Sequence, residues 1–191
     1  MTNIEEALAL LAAPCTDERF FTRALGALTL VTHCRWAGFA RPSKRAGFGE
    51  VIAFCDQQKS LPRFEFELKG SPCERVYIEK EKLHFTFSRD LQKRFPDFHI
   101  IKTLGANSYQ AEKIISEAGE VLGHIFVLDP HPQTENSKSM AFFRLLAQRI
   151  GVEYHRYLVT KKLEQRQQMI ASSEQYMSFV DTDYIYRVVS K

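Results

Sequence analysis

A chain of 191 residues suffices for one sizeable core and is too short for two ordinary domains. Its 45% hydrophobic and 26% charged residues are the composition of a folded protein, and a net charge of only +3, with Lys and Arg scattered among acids, forms no basic stripe for nucleic acid. Cys15, Cys34, Cys55 and Cys73 are far apart and make no CxxC pair, which argues against a zinc site or a disulfide framework and for a reducing compartment.

The first apolar run, residues 7–13, follows Glu5 and Glu6 and is preceded by no Lys or Arg. It reads as an amphipathic lead-in helix, not a signal peptide. No stretch approaches the ~18 apolar residues of a membrane span, so the expected location is cytoplasmic. Thr16 is placed to cap the next helix, with Asp17 and Glu18 in its positive first turn. Phe20, Phe21, Ala24, Leu25, Leu28 and Val31 then form one apolar stripe at helical spacing.

Residues 35–41 and 49–56 read as strands separated by a polar, Gly-containing loop at 41–48. Phe64, Phe66 and Leu68 alternate with Arg63, Glu65 and Glu67, giving an extended segment with one wet face. Residues 83–87 alternate likewise, with His84 and Thr86 opposite Leu83, Phe85 and Phe87. Two short helices are expected next, one holding Leu91 and Phe95, the other Ile100, Ile101 and Leu104, with Pro96 between them and Gly105 as a left-handed stop. The clearest hairpin joins 107–115 to 121–129 through a turn at 117–120. Its second strand is apolar on both faces and must be covered from both sides.

From 137 to 173 there is no proline and helix formers dominate, which predicts a helix spanning roughly 50 Å. Phe142, Phe143, Leu146 and Ile150 suit packing on the sheet; residues 161–168 are largely polar and are expected to project as a connector. Tyr154, Tyr157, Leu158, Leu163, Met169 and Ile170 would then need a second chain, making a weak parallel homodimer, with Gly151 at a kink or at the first helix–helix crossing. The run Ser71-Pro72-Cys73-Glu74 reads as a capping box: Ser71 at the N-cap, Pro72 at the first helical position, Glu74 at the third. Cys73 in that first turn would feel a helix dipole that lowers a thiol's pKa.

Three segments together, Gly70-Ser71-Pro72-Cys73-Glu74, Leu104-Gly105-Ala106-Asn107-Ser108-Tyr109 and Gly119 through Asp129, resemble the GAF domains of bacterial sensory proteins, over roughly residues 15 to 155. Such domains stand ahead of histidine-kinase outputs of two-component systems or of GGDEF diguanylate cyclases that make cyclic di-GMP. The resemblance implies an α+β fold: an antiparallel sheet of about six strands, helices on one face, a lid of loops and short helices over a cavity on the other, and a long C-terminal connector helix. It also implies a domain that binds a small ligand or a partner, dimerises and transmits, without catalysis. Residues 176–189 resemble the opening strand of a PAS domain. The expected organisation is a GAF domain at 1–155, a connector at 156–173 and the start of a PAS domain at 174–191, in the front part of a longer protein. The final segment is expected to have no sheet of its own.

Candidate ligand-binding residues are Trp36, Cys73, Tyr77, His84, Tyr109 and His124. His84 and His124 sit in strands with apolar neighbours, where each would line the cavity, hold haem or metal, or be a satisfied core residue. Signatures of particular GAF families are missing. No Cys precedes a His as in bilin photoreceptors, no Asn-Lys-x-Asp-Glu motif of cyclic-nucleotide binders occurs, and the thiols are not clustered as in methionine sulfoxide reductases. There is no G-x-x-x-x-G-K-[ST] phosphate loop either. The expectation is a sensor with no catalytic residue, no metal and no cofactor. The alternatives are a thiol redox enzyme or covalent sensor using Cys73, and a dimerisation spacer whose cavity is packed shut by phenylalanines.

Overall fold

A computed structural model describes residues 3–12, 19–116, 119–134, 136–171, 178–180 and 186–189. The expected helix cap at Thr16, with Asp17 and Glu18, and the turn residues Glu117 and Ala118 lie outside the described residues. The backbone divides into two compact units, Met1–Val152 and Glu153–Lys191.

The first unit is built on one antiparallel sheet. Helices α1 (Asn3–Ala12) and α2 (Arg19–Thr32) lead into β1 (Trp36–Pro42), β2 (Phe48–Asp56), β3 (Lys59–Leu61) and β4 (Phe64–Glu67). Three short helices and a strand follow: α3 (Glu74–Ile78), β5 (His84–Phe87), α4 (Leu91–Arg94) and α5 (His99–Leu104). The hairpin β6 (Ser108–Ile115) and β7 (Val121–Asp129) precedes α6 (Ser137–Ala171). The sheet order is β3-β2-β1-β7-β6-β5, with β4 also pairing β2. The central place of β7 accounts for its apolar run, since both of its faces are covered.

The period-2 alternation decides which side chains serve which layer. Phe39 of β1 meets Phe21 of α2, ring centroids 5.6 Å apart. Phe143, Leu146 and Ile150 of α6 are buried, and Arg149 of that helix lies over the ring of Phe20. These contacts put α2 and the first part of α6 on one face. The opposite face carries Trp36, Val51, Phe54, Phe85, Tyr109, Ala111, Phe126 and Leu128 in a single cluster closed by Cys73, Val76, Leu91 and Ile101 of the short-helix lid.

Four expectations are corrected. Ser71 does not cap α3: that helix begins at Glu74, and the Ser71 hydroxyl donates to the Leu68 carbonyl at 2.7 Å. The Glu74 carboxylate still turns back, accepting from the Gly70 N–H at 3.1 Å, so the box is shifted by one residue and only half formed. Gly151 marks a close approach of α6 to the sheet, not to a second helix: a Cβ there would stand 3.0 Å from Ile114 Cγ2 of β6. Tyr154 is already buried, 2% exposed, and is not left waiting for a second chain. Finally, in the second unit β8 (Ser178–Val180) pairs antiparallel with β9 (Tyr186–Val189), so the last segment does hold a small sheet of its own. Strand β3 was not expected; its short Lys-Ser-Leu run is too brief to carry an apolar period that would announce it.

Candidate functional site

The lid and the sheet enclose an apolar cavity lined by Val51, Phe54, Phe64, Phe66, Pro72, Cys73, Phe98, Ile100, Ile101, Tyr109, Phe126 and Leu128. Its volume is ≈ 20 Å³. That is room for about one water, which this lining gives little reason to stay. The aromatic rings interlock to close it: Phe54 meets Phe64 edge-on at 5.5 Å, Phe66 meets Phe98 at 5.7 Å, and Tyr109 stacks on Phe126 at 5.9 Å. Gly38 of β1 leaves the space that the Phe126 ring fills; a Cβ there would lie 2.3 Å from Phe126 Cζ.

Two of the six sequence candidates meet at this cavity. The Tyr109 hydroxyl donates to Cys73 Sγ at 3.5 Å, both groups fully enclosed. Burial pushes the Cys73 thiol up to about 12 and raises the Tyr109 phenol well above its ordinary value. Cys73 therefore has the electrostatics of an inert core thiol, opposite to the lowered pKa expected of a reactive one. Cys34 and Cys55 are likewise buried free thiols pushed up to about 12 by desolvation.

A second pair lies further along the same face, outside the cavity lining. The Tyr77 hydroxyl of α3 and His124 Nδ1 of β7 are 2.9 Å apart. His124 is 0% exposed, and its Nε2 has no hydrogen-bond partner. Either tautomer leaves one buried polar atom of the ring unsatisfied. Desolvation, aided by the nearby Lys113 cation, lowers the His124 pKa to about 3, so the ring is neutral. Lys113, beside it on β6, donates from Nζ to the carbonyls of Glu79 at 2.6 Å and Lys80 at 3.2 Å, just past α3.

The other two candidates are elsewhere. Trp36 belongs to the lid-side cluster but does not line the cavity; the Arg35 guanidinium lies 4.7 Å from its ring centroid and pairs with Asp56. His84 is on the opposite face, because it sits across from Glu112 in the β5–β6 ladder. Its Nδ1 is 2.8 Å from Glu112 Oε2, its Nε2 is 2.8 Å from Thr86 Oγ1, and its ring stands edge-on to Phe143 of α6. A cavity role for His84 is thereby replaced by a place between sheet and helix. Sequence reading missed Glu112 and Lys113 altogether; two charged residues within a strand period were the available signal. Among the described residues no group of three His, Cys, Asp or Glu side chains could hold a metal, and no helix is long and apolar enough to cross a membrane.

No family model and no curated protein matches the chain. Solved structures do. The wild-type chromophore-binding domain of Stigmatella aurantiaca phytochrome P1 aligns with a TM-score of 0.60 at 11% identity, over 78% of this chain and 58% of that one. The chromophore-binding domain of an unusual bacteriophytochrome from R. palustris gives 0.61 at 13% identity, over 84% and 60%. The GAF domain of an Acinetobacter phosphoenolpyruvate-protein phosphotransferase gives 0.61 at 12% identity, over 83% of this chain and 95% of that one. The chain thus spans a little over half the length of the phytochrome domains it matches, and nearly all of the single GAF domain. The common feature is the fold, a GAF-like α+β architecture.

Proposed function

We propose that this chain is a regulatory GAF-type domain of a cytoplasmic signalling protein, in which the packing of the lid on one face of the sheet biases the helix on the other. The observation that carries the reading is one sheet serving both layers: the apolar cavity on the lid face and the first turns of α6 on the opposite face. A small apolar ligand or a partner that resets the lid would be the input, and α6 the output. The output would reach a PAS domain opening near residue 174, and beyond it a histidine kinase or diguanylate cyclase. The phytochrome domains are named for binding a chromophore, but a cavity of ≈ 20 Å³ walled by interlocked phenylalanines gives no support for one here.

Dimerisation through α6 is part of the proposal. Leu145, Val152 and Val159 recur every seven residues, with Leu163 following, and all four are exposed large apolar residues. A seven-residue apolar spacing is what a two-helix seam needs. The same small cavity also favours a second reading, a dimerisation spacer that binds nothing, whereas the inert state of Cys73 weighs against the thiol enzyme.

Native mass spectrometry and sedimentation of the whole chain test the proposal together. A dimer at micromolar concentration that Val159→Glu with Leu163→Glu converts to monomer is expected, with added mass from a retained small molecule in the sensor case. A dimer that never carries added mass would leave the spacer. A strict monomer, or a dimer indifferent to those substitutions, would overturn the transmitter reading.

A further inference from the structure

Adjacent residues of a strand face opposite sides of a sheet. In β6 this turns Glu112 and Lys113 into a connection through the sheet. Both are buried, 3% and 4% exposed, where an apolar residue would spare the desolvation of a charge. On the lid side Lys113 holds the chain leaving α3 by the carbonyls of Glu79 and Lys80. On the other side Glu112 takes His84 of β5 at 2.8 Å and faces Arg144 Nε of α6 at 3.7 Å.

The place of the pair along β6 matters as much as its partners. His84 opposite Glu112 is the end of the β5 ladder, and beyond it Lys113 keeps one bond on that side, its N–H to the Leu83 carbonyl at 2.8 Å. The β6–β7 register shifts between Ile114 and Ile115. Residues 112 and 113 therefore stand where pairing with β5 ends and just before the β6–β7 irregularity, while still paired with Ile125 and His124 of β7. A shift there moves both side chains at once, because they share one peptide unit. Neither residue lines the cavity.

We propose that the Glu112–Lys113 step of β6 is the coupling element between the lid helix α3 and helix α6. The inference rests on reading the domain as a transmitter. When α3 moves, Lys113 follows the carbonyls it binds or lets them go; in either case the backbone at 112–113 relaxes, and the carboxylate that ties β5 to α6 is redrawn on the far face.

Spatial intermediacy is not coupling, so the test must read one face after a change on the other. Hydrogen exchange of the whole chain serves, with Glu112→Gln, which keeps the shape and a bond to His84. Amides of residues 76–80 in the lid, which Glu112 does not touch, should exchange at least threefold faster, while those of the β1–β2 pair stay as they were. Reciprocally, Lys113→Met should speed α6 amides near Arg144. Arg144→Gln, at a largely exposed side chain, gives the same lid readout should Glu112→Gln fail to fold. Lid amides unchanged, or changed no more than those of β1–β2, would overturn the proposal. A chain that still dimerises through α6 yet shows no such transfer would lose the coupling element and keep the transmitter reading, because the two measurements are independent.

Discussion

His124 should make this domain sensitive to mild acid. In the folded chain its pKa is lowered to about 3 by burial and by Lys113; unfolded, it returns to about 6.5. The folded value is the lower one, so between these limits the unfolded state binds the extra proton, and stability falls as pH falls from 6.5 towards 3. From pH 7 to pH 5 the ring stays neutral when folded, while the unfolded ring goes from mostly neutral to almost fully protonated. That difference is worth about 2 kcal/mol. A folded value anywhere near 3 gives almost the same figure, because pH 5 lies well above it. Urea unfolding of the wild type and of His124→Gln at both pH values isolates the effect, since all other titrating groups cancel in the difference. Glutamine keeps a polar partner for Tyr77 and has no proton to gain. The wild type should lose about 2 kcal/mol more than the variant on going to pH 5. Equal losses in the two proteins would refute the argument and place the buried ring in contact with water.

Cys73 should resist alkylation in the native chain: with its thiol near 12, the thiolate fraction at pH 8 is about three orders of magnitude below that of a free cysteine, and mass mapping of iodoacetamide adducts would check it. Fast labelling of Cys73 without unfolding would contradict the enclosed Tyr109–Cys73 pair. Ser71→Ala should cost about 1 kcal/mol in urea unfolding, through the lost bond to the Leu68 carbonyl and not through a helix cap, so Ser71→Asp, a good cap, should fail to restore it. Gly38→Ala should destabilise by about 1–3 kcal/mol, because its methyl collides with the Phe126 ring that closes the cavity; a neutral substitution would mean that this ring moves freely.

Most of the sheet was legible because its signals are local. Alternation located β4 and β5, loop and turn signals bounded β1, β2 and the β6–β7 hairpin, and the apolar run of β7 announced a strand covered on both sides. The 83–87 alternation sets His84 opposite Phe85, but it does not say which face carries the cavity. His84 stays among the cavity candidates until Glu112 and Phe143 place it. The failures concern groups whose meaning depends on a distant partner. Ser71-Pro72-Cys73-Glu74 satisfies the sequence rule for a capping box, but the Leu68 carbonyl lies close enough to take the hydroxyl instead. Gly151 reads as a helix weakness until Ile114 is placed against it. The two side-chain pairs of the lid, Tyr109 with Cys73 and Tyr77 with His124, span 36 and 47 residues. Periodicity places each residue on a face but does not say which residue of the lid arrives above it.

Under the proposed sensor reading, the separation of polar and apolar groups on the lid face limits what the domain could read. The cavity wall offers a ligand no charged side chain, and its polar groups, the Cys73 thiol and the Tyr109 hydroxyl, already bond to each other. Discrimination by hydrogen bonding is therefore weak there, and an occupant would act by volume, prising apart the phenylalanines between lid and sheet. The polar groups that hold the lid lie beyond the cavity, where Tyr77 meets His124 and where Lys113 meets the carbonyls of Glu79 and Lys80. Apolar contact yields gradually as a lid lifts, but a hydrogen bond in a dry site is either made or lost at a cost of about 1–3 kcal/mol. The unsatisfied Nε2 of His124 already holds part of that cost in the closed state, and water admitted by a lifted lid would relieve it. Lifting the lid at α3 is thus opposed by the Tyr77 and Lys113 bonds and favoured by hydration of His124. On the proposed transmitter reading, such opposing contributions would narrow the gap between a closed and a lifted lid, so that a modest binding energy could shift the population.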